Sequence, residues 1–129
     1  MIVSKLAAAA LVVSVAAAPL PEERETAARQ LSMHRKNVVV QPYQRRATDC
    51  IVRAVAADGR FKDGPADGPS NALGDLIVEL MPQCAGPMRA MIEAYDRNFG
   101  AGAGEAFFMG PYLDLLPRTI GERAAGISR

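Results

Sequence analysis

The stretch "ELMPQCAGPMRAM", Glu79–Met91, decides how this chain folds. It holds one of only two cysteines, Cys84, set among Pro82, Pro87, Met81, Met88 and Met91. Its apolar positions belong to a longer stripe of Leu73, Leu76, Ile77, Leu80, Cys84, Met88, Met91, Ile92, Tyr95 and Phe99. These recur at the three- and four-residue spacing of one helix face. Pro82 and Gly86-Pro87 interrupt the stripe. A proline inside a helix removes a backbone hydrogen bond and clashes with the preceding turn, at a cost of about 3 kcal/mol. The pattern therefore predicts a helical region over 71–99 that kinks or breaks between Met81 and Pro87. Arg89, Glu93 and Arg97 alternate in sign four residues apart on the far face, as solvated helix faces do.

Upstream, "QRRATDCIVRAVAA", 44–57, repeats the pattern. Ala47, Cys50, Ile51, Ala54 and Val55 share one face, while Arg45, Arg46, Asp49 and Arg53 lie off it. Cys50 thus occupies the apolar stripe of one helix as Cys84 does of the other. Helices joined by a loop pack side by side, so the two stripes face each other and the sulfurs can meet. An even cysteine pair in an exported chain normally oxidises. A Cys50–Cys84 disulfide is expected, and closing a loop of about 35 residues removes roughly 4 kcal/mol of unfolded-state entropy. Neither cysteine stands in the Cys-x-x-Cys setting of a redox pair. Between the helices, "DGRFKDGPADGPSN", 58–71, is dense in glycine and proline and reads as a loop, with Ser70 or Asn71 as the next N-cap.

Downstream, "GAGAGE", 100–105, reads as a hinge. No Gly-Lys-Ser/Thr follows, and Glu105 stands where a dinucleotide fingerprint needs its third glycine. "EAFFMGPYLDLLP", 105–117, predicts a last helical element with Phe108, Met109, Tyr112, Leu113 and Leu116 on one side, split by Pro111 and ended by Pro117. Residues 118–129 read as a flexible polar tail. Residues 19–42 read as a loose or partly helical leader. Pro21-Glu22-Glu23 resembles a helix start, because acids favour the positive end of the helix dipole. Ala27, Ala28 and Leu31 are too small to bury much, and the β-branched "NVVVQPY", 37–43, reads as extended.

The predicted fold is a small all-α domain over 43–117, built of three to four kinked helices stapled by one disulfide. In outline it is similar to small exported helical proteins with one disulfide, among them periplasmic acid-stress chaperones and immunity proteins. No motif carries that likeness.

The N-terminus, 1–18, reads as a signal peptide: Lys5, then a short apolar run from Leu6 to Ala18, with small residues placed for cleavage after Ala17. The run is shorter than the roughly 20 residues of a membrane span. Location in the periplasm or outside the cell follows. The formal net charge is +1, and loss of Lys5 takes it to about zero, so no electrostatic footprint for nucleic acid exists. Tryptophan is absent, which argues against a carbohydrate platform.

Four constellations hold residue types that could carry chemistry. Met81, Cys84, Met88 and Met91 form M-x2-C-x3-M-x2-M on one face, a donor set suited to Cu(I), with His34 as a further nitrogen. The competing reading is core, where methionine fills irregular gaps. Glu79, Glu93, Asp96 and Asp114 offer carboxylates for acid–base work, but nothing in the pattern pairs any two. His34 is the only histidine and has no nucleophile placed with it. Asp58, Asp63, Asp67 and Asp75 suggest calcium, yet a loop begun at Asp63 puts Pro65 at position 3 and Gly74 at position 12, losing two ligands. The expected function is a non-enzymatic, exported interaction or stress/chaperone-like module. Its partner is an unknown envelope protein; no cofactor, nucleic acid or stable membrane span is expected. The alternative is a small soft-metal carrier.

Overall fold

The computed structural model describes residues 12–14, 16–63 and 70–127. Most of the signal-like segment, residues 1–11 and Val15, lies outside them, as do residues 64–69 and 128–129. The calcium reading at Asp63 and Asp67 and the capping reading of the Ser70 and Asn71 side chains also fall outside what is described.

Helix α1, Pro21–Ala57, runs for 37 residues and supplies the wall on which the rest packs. Its C-terminal half buries Val40, Ala47, Ile51, Val52, Val55 and Ala56, close to the face predicted from sequence. The one-turn α2, Gly59–Asp63, follows, then α3, Ser70–Leu80. As predicted, the long stripe breaks at Pro82: Met81–Cys84 form a single 3-10 turn before α4, Ala85–Phe99. Proline supports the tighter turn because its missing N–H sits in the first positions, where no intrahelical partner is required. Leu76, Ile77, Leu80, Cys84, Met88, Met91 and Tyr95 are buried along the stripe. Met88 and Met91 are therefore core, and Met81 is half-buried against it.

Cys50 and Cys84 form a disulfide, with their Cα atoms 5.9 Å apart. It ties the middle of α1 to the turn between α3 and α4. All four long helices, α1, α3, α4 and α6 (Leu113–Ile127), contribute to one core, and no strand occurs among the described residues.

The glycine hinge ends α4. Gly100 and Gly102 have φ of 110° and 84°, a region open to glycine at little cost. The short α5, Ala103–Phe107, follows. Gly104 is buried there because α5 lies directly on α4: a Cβ on Gly104 would stand 2.1 Å from the Ile92 carbonyl oxygen. Phe108–Tyr112 form a wide π-turn, in which the Leu113 N–H donates to the Phe108 carbonyl five residues back. Pro111 has no N–H to complete an ordinary α-turn, which favours the wider register.

Several sequence expectations are corrected. The extended reading of 37–43 fails: Pro42 stands inside α1 and the helix continues on both sides of it. The loop reading of 58–71 gives way at its start to α2. Pro117 does not end the last helix, and 118–127 is no loose tail; α6 runs to Ile127 and buries Leu116, Ile120 and Ala124. With Tyr112, these form a clean four-residue ladder. Met109, placed on the buried side from sequence, is 62% exposed, because the π-turn rotates it off that ladder. The bundle therefore extends from Val40 to the end of α6, beyond the 43–117 expected.

Candidate docking surface

Five of the seven aromatic rings gather where α4, α5, the π-turn and α6 meet. Tyr95 and Phe107 stack with centroids 4.1 Å apart. Each tyrosine also reaches α1: Gln44 Nε2 donates to the Tyr95 hydroxyl, and the Thr48 and Tyr112 hydroxyls share a hydrogen bond of 3.0 Å. Burial pushes both phenols above the usual tyrosine value, opposed by those same hydrogen bonds. The cluster is a satisfied core that locks α4 and α6 to α1.

The carboxylates singled out from sequence are not brought together. The Asp96 carboxylate accepts the Gly104 N–H at 2.8 Å and so caps the start of α5. Glu79 accepts from Arg60 at 2.7 Å on the surface. Asp58 accepts from the backbone and guanidinium of the same Arg60, which hold its carboxyl below the usual range. Glu93 and Asp114 are exposed on different helices. Among the described residues, no three His, Cys, Asp or Glu side chains are grouped as metal ligands. The sulfur of Cys84 is bonded to Cys50, Met91 has no solvent exposure, and His34 is exposed on the N-terminal half of α1. The Met/Cys face is thus packed as core and carries no open ligand set.

Sequence reasoning missed the most distinctive surface. Every α1 residue from Pro21 to Arg35 is exposed. At 1.5 Å per residue this arm reaches about 22 Å. It is helical for local reasons: Pro21 opens it, the Glu23 carboxylate accepts the Leu20 N–H at 3.3 Å, and Glu25 pairs with Arg29 one turn on. Its root is held to α4 by two cations on rings: Lys36 Nζ lies 5.8 Å from the centre of Phe99, and the Arg97 guanidinium lies 5.9 Å from Tyr43.

Large apolar side chains stand in water on this arm and at its root. Leu31 is 59% exposed and Val38 and Val39 are each 51% exposed, whereas the adjacent Val40 is 1% exposed. The signal that could have found the arm was present: Leu31 and Val38 are seven residues apart, out of phase with the stripe of Val40 and Ala47. Among the described residues, no helix is long and apolar enough to cross a membrane. Compared with known protein families, curated proteins and solved structures, the chain shows no match.

Proposed function

We propose that the protein is an exported, non-enzymatic interaction module that docks through the α1 arm. The observation that carries this reading is the arm itself: α1 runs clear of its own bundle from Pro21 to Arg35 and keeps Leu31, and at its root Val38 and Val39, in water. Single exposed apolar residues are ordinary, but a row of them on one unsupported element marks a place where something binds. The rigid bundle presents the arm, so a partner need not order it on docking, and less entropy is lost. The Cys50–Cys84 disulfide supports an oxidising compartment, in keeping with the signal-like N-terminus.

Affinity capture from the native envelope fraction tests it, with Leu31→Glu as the matched control. One or more partners should be retained by the unaltered protein and lost with the variant. A partner retained equally by both would remove the arm from the interface, and an empty capture would overturn the docking role.

A further inference from the structure

We infer that the outward face of α1 docks on the surface of an anionic phospholipid bilayer, held by arginines and by the apolar side chains set between them. This rests on the reading of the arm as a docking element and names its occupant.

The first support is charge. Between Glu25 and Asp49 the chain has no acidic residue, yet it has Arg29, Arg35, Lys36, Arg45 and Arg46. At 100° per residue, Arg24, Arg35, Arg46 and Arg53 fall within about 40° of one another, in a sector centred about 140° from the core residue Val40. All four are exposed, and among the described residues none of them is in an ion pair. Glu22, Glu23 and Glu25 stand about 80° or more from the centre of that sector. Asp49 borders it but is paired with Arg123 of α6. On the adjoining α4, Glu93 stands one turn from both Arg89 and Arg97. The sector is therefore a cationic stripe, which anionic head groups complement.

The second support is what lies between the arginines. Leu31, Val38 and Val39, the exposed apolar residues of the arm and its root, stand within about 60° of the same centre. A free polyanion would satisfy the arginines and leave these three side chains in water. A bilayer surface takes both: guanidinium groups pair with lipid phosphates, and apolar side chains enter the boundary between head groups and acyl chains.

The third support is extent. Arg24 to Arg53 covers about 44 Å of helix. Val40, Ala47 and Ile51 hold the bundle on the opposite side, so the stripe is open to an extended surface charged along its whole length. Contact of this kind is peripheral, reversible and weakened by salt.

Flotation of the purified, oxidised protein with vesicles of equal parts phosphatidylglycerol and phosphatidylcholine tests the inference. The protein should float with these vesicles at about 50 mM salt and leave them at about 0.5 M, over which the Debye length falls roughly threefold. It should not float with pure phosphatidylcholine. Arg35→Glu should lower binding several-fold and Arg24→Glu/Arg35→Glu by about tenfold or more, because each charge near the surface adds to the attraction. Leu31→Ser/Val38→Ser should weaken binding and leave its salt dependence in place. Arg118→Glu, which makes the same change in net charge at an exposed site on α6, should stay within about twofold of wild type, as a site away from the stripe requires. Unchanged unfolding midpoints would show that the bundle of each variant is intact. No flotation at low salt overturns the inference, as does equal flotation with pure phosphatidylcholine or equal loss in Arg35→Glu and Arg118→Glu. If vesicles are not bound but a protein is still captured through Leu31, the lipid occupant alone fails; if vesicles are bound through the stripe but no protein is captured, docking to a protein alone fails.

Discussion

Gly104 shows how much can rest on a missing side chain. The run Gly100-Ala101-Gly102-Ala103-Gly104 repeats one dipeptide, yet its glycines serve different ends. Gly100 and Gly102 supply positive φ, whereas Gly104 lets α5 lie against the Ile92 backbone while its N–H is held by Asp96. Gly74, in the middle of α3, has nothing within 4 Å of a Cβ. Gly104→Ala should therefore destabilise by about 1–3 kcal/mol, since backbone must move to admit the methyl. Gly74→Ala should stabilise by about 0.5–1 kcal/mol, the ordinary gain from replacing glycine inside a helix. Denaturant unfolding of the two variants reads opposite signs. If both shifted the midpoint in one direction, the close approach of α5 to α4 would be wrong. Nothing in the glycine run distinguishes Gly104 from its neighbours, because the distinction lies in Ile92, twelve residues earlier.

At the scale of the element, α1 is one helix with two fates. Its N-terminal half is held by capping and one local ion pair, and its C-terminal half by the core. Val38 and Val40 are two residues apart on opposite faces, 51% and 1% exposed. Val40→Ala should cost about 2 kcal/mol, from two lost methyl groups plus the cavity they leave. Val38→Ala should change stability by less than about 0.5 kcal/mol, as exposed substitutions do. Urea midpoints measured on dilute protein separate the two; equal costs would mean that the arm folds back onto the bundle. Sequence alone reads 37–43 as extended because three β-branched residues precede a proline. Each valine lowers helix propensity by less than about 1 kcal/mol, and Pro42 by about 3. Burial of Val40, packing of Tyr43 and the continuous helix beyond them outweigh that local deficit.

For the whole molecule, the disulfide joins the two halves of a bundle that has few large core residues. Ile51, Met91 and Ile120 are the largest of its fully buried side chains. A core this small gains much from a cross-link that restricts the unfolded chain. Replacing Cys50 and Cys84 together with alanine should cost about 2–5 kcal/mol. Protein taken directly from its native host, denatured without reductant, should titrate no free thiol; two free thiols would undo both the staple and the oxidising compartment proposed from it. The ladder Tyr112, Leu116, Ile120, Ala124 closes the bundle from the other side. Its four-residue spacing was legible all along, but Pro117 conceals it as an apparent terminator.

The sequence by itself determined the helical class, the two facing stripes, the Cys50–Cys84 pairing, the break at Pro82 and the glycine hinge. Each of these follows from periodicity or from the chemistry of one residue type, and both act over a few neighbours along the chain. Tertiary structure alone decided that Pro42 and Pro117 stand inside helices, that Met109 turns outward, that Gly104 is a contact point, and that α1 outruns its bundle as an arm. The helix breakers are tolerated where residues distant in sequence bury the turns around them, and the arm is exposed because nothing in the bundle reaches it. Those are balances between a local cost and non-local packing, and only the folded chain contains both terms.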